Sequence, residues 1–246
     1  MNLWRLEVLR LFRTYRVWIL LGIFGFFGVL GPLTAAYLSE IVDRLGGGAE
    51  IVVPDATPEL AMAQYLSNAL QLGLLAIAFI AALSLAFDAK PEMSAFLRTR
   101  ATVPQILAPR YVVNMVASAG SFLLASASAF AVTAVLIAVP SIDGTIIGSV
   151  LIGLYLCFVV ALTGLFASLV RGVPGTALLT VGSLILLSIV GLVPAIGPWL
   201  PSDLVGSYDA LIAGGDFVYW RGIASAVLLS LAAISFSVYR MQRREV

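Results

Sequence analysis

The chemistry open to this chain is bounded by its ionisable side chains. Its 246 residues include no histidine, one cysteine and a single lysine, Lys90. Without histidine there is no histidine-based catalytic triad, no HExxH zinc site and no imidazole proton relay. Cys157 sits alone in an apolar run, which excludes an intrachain disulfide and argues against a metal cluster. Pro91 follows Lys90, so no GxxxxGK[ST] phosphate loop is present, and no GxSxG serine elbow occurs. Glu40, Asp43, Glu50, Asp55 and Glu59 cluster in one stretch, but their spacing fits no EF-hand loop and reads as a solvated acidic segment. What remains is charge that can dock rather than catalyse. Arg5, Arg10, Arg13 and Arg16 open the chain, and Lys90, Arg98, Arg100 and Arg110 form a basic island within residues 87–111.

The elements that hold these charges are apolar. Hydrophobic residues make up 61% of the chain and charged residues 11%, against roughly 45–50% and about 25% in a soluble domain. The mean hydropathy is +1.06. Several runs exceed the ~18 residues needed for a transmembrane helix. The expected fold is therefore an all-α integral membrane protein with six transmembrane helices, in one transmembrane domain over residues 1–246. The spans fall near residues 17–38, 63–86, 112–139, 145–170, 174–193 and 220–239. The first apolar run continues too long, behind too basic a segment, for a cleavable signal. Gly22, Gly25, Gly28 and Gly31 recur in the first span, and Ala117, Ser121, Ala125, Ala129 and Thr133 form a ridge of small residues in the third. Both patterns permit close helix packing, with the ridge expected inside the bundle rather than across a dimer. Asn68 and Gln71 in the second span are candidates to face the bundle interior. Ionisable residues are nearly absent from span centres, which removes the usual mark of an ion-coupled carrier.

Residues 1–16 read as an interfacial amphipathic helix. Trp4, Val8, Leu11, Phe12 and Tyr15 recur at i, i+4, i+7, i+8 and i+11, an arc of roughly 100° on a helical wheel. An aromatic stripe set among arginines suits the membrane surface. In the island, Pro91 suits the first turn of a helix. Met93, Phe96 and Leu97 make one apolar stripe, which a merely solvated loop would not need. Residues 194–219 are rich in proline and glycine and carry Asp203, Asp209 and Asp216. They suit a half-inserted pair of short helices between spans five and six, provided protein covers their ends. With the N-terminus in the cytoplasm, every basic residue except Arg44 and Arg221 lies inside, as the positive-inside rule requires. Both termini and the 87–111 loop are then cytoplasmic, in a multi-pass protein of the cell membrane.

Six spans, a basic N-terminal helix and a first cytoplasmic loop reading EMSAFLRTRATVPQILAPRYVVN resemble the membrane (permease) subunit of an ABC-2-type ATP-binding-cassette exporter. In that family the loop carries a coupling helix. Glu92, Phe96-Leu97, residues 99–102, Gln105-Ile106-Leu107 and Arg110 fill its parts here. Together with Met93, Arg98 and Arg100 they are the expected ATPase-coupling residues. Trp4, Arg5, Arg10, Phe12, Arg13 and Arg16 are those of the interfacial helix. The sequence departs from the family at Pro91-Glu92, where Gly-Thr is common, and at Pro109 and Arg110, where glycine and lysine are usual.

The resemblance implies a non-catalytic subunit with no cofactor of its own. A partner ABC ATPase would bind ATP and Mg, and a second permease subunit, identical or different, would complete the pathway amid membrane lipids. No nucleic-acid partner is expected. The nearly uncharged spans favour an amphipathic or hydrophobic cargo such as a drug, lipid or peptide. The alternatives are the substrate-binding membrane subunit of an importer that shares an energising module, an integral membrane enzyme, and a structural or regulatory membrane protein.

Overall fold

The computed structural model of the chain describes residues 3–45, 55–86, 88 and 91–243. Gly46, Gly47, Gly48, Glu50, Pro54, Lys90 and Arg244 lie outside the described residues, as do the side chains of Asp43, Arg44 and Met93. The described residues form ten α-helices and no strand: α1 Leu3–Arg13, α2 Arg16–Ala36, α3 Leu38–Leu45, α4 Pro58–Leu85, α5 Pro91–Arg98, α6 Val103–Leu136, α7 Ile142–Leu169, α8 Val173–Val190, α9 Asp203–Ile212 and α10 Trp220–Arg243. Six of them, α2, α4, α6, α7, α8 and α10, are long and apolar enough to cross a membrane. The chain is an all-α, multi-pass membrane protein.

Local chemistry sets the helix ends. Thr57 caps α4 by accepting from Leu60 N at 3.2 Å, with Pro58 in the first turn. Ser141 caps α7 through Gly144 N at 3.2 Å. At the start of α6 the Gln105 side chain reaches back and accepts from Thr102 N at 3.0 Å. This cap makes residues 103–111 the opening turns of α6, where the sequence places them in the 87–111 loop ahead of a span beginning near residue 112. Pro104 sits in the first turn, where it forfeits no helical bond, and Pro109 removes only one. With 34 residues, α6 is about 51 Å long and overshoots a ~30 Å hydrocarbon core by several turns.

Packing centres on α7, of whose most apolar stretch 67% is buried, against 22% for α8 and for α10. The α2, α4 and α6 helices form one tightly packed group, and α7, α9 and α10 another. Gly28 and Gly31 are the glycines of α2 that allow close approach. A Cβ at Gly31 would lie 2.6 Å from Tyr65 Cα, whereas Gly22 and Gly25 face open space. All five residues of the small ridge, Ala117 to Thr133, are buried within the bundle. An aromatic cluster of Phe24, Tyr65, Phe122 and Tyr208 joins the two groups, with ring centroids 5.7–6.4 Å apart. Tyr208 belongs to α9. Residues 194–219 fold into a 3-10 turn at Gly197–Trp199 and the helix α9, which packs along α7 beside Gly144 and Gly148.

Candidate functional site

The arginines converge at one end of the bundle. Arg110, only 6% exposed, is aimed inward from α6. Its Nε meets Glu7 Oε1 of α1 at 3.0 Å, and its Nη1 donates to Ser84 O at the end of α4 at 2.8 Å. Arg10 Nη1 stands 3.5 Å from the same Glu7 oxygen, and its Nη2 donates to Leu83 O at 3.4 Å. The final carbonyls of a helix lack partners within it and carry the negative end of the helix dipole. Two arginines therefore close the end of α4, and Glu7 neutralises part of their charge. The same device recurs nearby. Arg240 of α10 donates to Ser168 O in the last turn of α7 at 3.0 Å, and Tyr111 donates to Ser237 Oγ at 2.8 Å, holding α6 to α10. Three helices thus end, and α6 begins, at one ionic layer with α1 across it.

Beside this layer stands α5. No other described helix packs broadly against it. Its Arg98 pairs with Asp88 at 3.2 Å, which ties the helix to the end of α4. Phe96 is 51% exposed, with the Arg100 guanidinium 4.9 Å from its ring centroid. Glu92 is exposed, and Leu97 is half-buried.

The expected coupling residues therefore divide. Glu92, Phe96, Arg100 and Gln105 face outward. Ile106, 2% exposed, belongs to the core, and Arg110 to the buried node. The reason is register. Once α6 begins at Val103, Ile106 and Arg110 share the face that packs on the bundle. The interfacial set divides as well. Trp4, Arg5, Phe12 and Arg13 are exposed, whereas Arg10 and Arg16 are half-buried. Leu11 leaves the exposed stripe and packs into the bundle beside Glu7. Glu7, Ser84 and Asp88 were not anticipated. Glu7 did carry a signal, as the only carboxylate among four arginines in residues 1–16. Ser84 and Leu83 act through backbone oxygens, which no side-chain pattern reveals.

Among the described residues no group of three His, Cys, Asp or Glu side chains gathers to hold a metal ion. No protein-family model and no curated protein matches the chain.

Proposed function

We propose that this chain is the permease subunit of an ATP-driven exporter of the ABC-2 type, working with a second permease subunit and two partner ATPase subunits that bind ATP and Mg. The observation that carries the reading is α5: a short helix barely packed on the other described helices, presenting Phe96, with Arg100 just past its end, beside an ionic node shared by α1, α4 and α6. A single exposed ring is ordinary; what supports docking is that it stands on a helix the other described helices leave uncovered, beside the Arg100 guanidinium. The positive-inside rule puts the arginine-rich end, both termini and α5 in the cytoplasm, where an ATPase would meet them. Motion of a docked α5 would pass through Arg98–Asp88 to the end of α4, and through Arg110 and Glu7 to α6 and α1. Tilting of these helices would open a path for an amphipathic or hydrophobic cargo. The chain itself would hydrolyse nothing.

The test is docking. A photo-crosslinking residue in place of Phe96, activated in the native cell membrane, should capture a P-loop ATPase. Full burial of an exposed Phe or Leu is worth about 1.5–3 kcal/mol, and docking can cover only the part of each ring or chain still exposed. The Phe96→Ala, Leu97→Ala variant should therefore weaken co-purification with that ATPase. Crosslinking to lipid alone, or unchanged co-purification of the double variant, would overturn the reading.

A further inference from the structure

At the end of the bundle away from the arginines, α4, α8 and the segment carrying α9 border an open cavity of about 1080 Å³. Sites for drug-sized molecules occupy about 300–1,000 Å³. The walls are leucine, isoleucine and valine from α4 and α8. At the rim Ile185, Ile189 and Leu192 are exposed, so the cavity opens sideways, toward the lipid that would surround α8.

Its polar groups are few and of one sign. Asp203 and Asp209 line it, with Ser67, Gln71, Ser188 and Ser202, and among the described residues no arginine or lysine does. Asp203, Gly206 and Asp209 follow at i, i+3 and i+6 along one side of α9. Nothing lies within 4 Å of where a Gly206 Cβ would be, which leaves a notch between the carboxylates. Among the described residues neither aspartate has an ion-pair partner. Tyr155 also lines the cavity. It is 3% exposed, and its hydroxyl has no hydrogen-bond partner among the described residues. Asp203 is half-buried and Asp209 exposed at the rim, so both carboxylates are open to an occupant of the cavity. Partial desolvation raises the pKa of both aspartates.

We propose that this cavity binds a lipophilic organic cation, its charge between Asp203 and Asp209 and its apolar body against α4 and α8. A neutral occupant such as an acyl chain would leave the carboxylates unpaired. A phospholipid phosphate or a fatty acid would bring an anion to a site with no cation to receive it. The cation supplies the missing counter-charge, and lateral opening suits a molecule that partitions into the bilayer. Within the transport reading, on which this assignment of cargo class rests, such a cation is the cargo. The binding step itself needs no ATPase.

The experiment therefore uses the purified chain alone, in detergent, and two probes of nearly equal shape and opposite charge. Tetraphenylphosphonium should bind saturably, and tetraphenylborate at least about tenfold more weakly. The Asp203→Asn, Asp209→Asn variant should lose about tenfold or more in phosphonium affinity. Gly206→Leu, which fills the notch without changing charge, should do the same. Asp216→Asn, an exposed carboxylate outside the cavity, should bind as wild type. Equal binding of the two probes would overturn the proposal, as would no saturable phosphonium binding or full affinity in the double variant. Should the double variant elute as aggregate, the comparison of probes on wild type still decides. Loss of ATPase docking with retained phosphonium binding would defeat the transporter reading and leave the site standing.

Discussion

Arg110 illustrates what a residue's type conceals. As one of four cations in a basic stretch it suggests a surface for a partner. In the structure it is a buried structural cation held by Glu7 and the Ser84 carbonyl. Nothing in the sequence could place it so, because the decision depends on where α6 begins and on a backbone oxygen of another helix. A buried pair is costly to break from one side and cheap to replace as a whole, since the stranded partner keeps its desolvation penalty. Glu7→Gln should therefore destabilise the protein by about 3 kcal/mol or more, read as a fall in melting temperature in detergent. The double variant Glu7→Leu, Arg110→Met should recover much of that loss. If the effects of Glu7→Leu and Arg110→Met, each measured alone, simply add in the double variant, the side chains are not coupled and the node is incidental.

At the scale of elements, the long helices were legible because about 20 apolar residues in a row have few other uses. The start of α6 was not, because two prolines argued for a break that a side-chain cap and burial override. The joint between α1 and α2 was also hidden. Tyr15 has φ 58°, the only positive φ of a non-glycine residue among the described residues. It is 70% exposed, so its ring contributes little packing. A left-handed residue of this kind costs about 1–2 kcal/mol and persists where the surroundings require it. Here the requirement is a sharp turn between a helix fastened by Glu7 and a span that must run through the bundle. Deleting α1 would test its role poorly, since Arg110 would be stranded too. The elbow alone is the cleaner target. Tyr15→Gly should melt at or above the wild-type temperature, because glycine adopts positive φ without a steric cost. Tyr15→Pro cannot reach that φ and removes the bond from Tyr15 N to Phe12 O at 3.2 Å. It should melt lower and be cut faster by trypsin at Arg13 or Arg16. Equal trypsin sensitivity in the two variants would show that the elbow is not a constraint.

At the scale of the whole molecule, sequence and structure meet through charge. Residues far apart in the chain, Arg10, Arg98, Arg110, Arg171, Arg240 and Arg243, gather at one end because successive spans alternate in direction. The contacts of Arg110 with the end of α4 and of Arg240 with the end of α7 fix that alternation independently of hydropathy. Arg221 lies at the other end, over the rings of Trp199 and Trp220. Such an asymmetry orients a membrane protein, because arginine and lysine are retained on the cytoplasmic side. It also makes orientation measurable, since Cys157 is the only native thiol. In a Cys157→Ala background, cysteines at Asp55 and Asp216 should react from outside intact cells with a membrane-impermeant thiol reagent. Both positions are exposed, and both lie at the end away from the arginines. A cysteine at Thr99, equally exposed beside α5, should react only after the membrane is opened. Ser207 would be a poor reporter despite lying in the same 194–219 segment as Asp216, because it is fully buried and bonded to Leu204 O. Labelling at Thr99 in sealed cells would invert the molecule. It would put α5 out of reach of any cytoplasmic ATPase and turn the cavity beside Asp203 and Asp209 toward the cytoplasm.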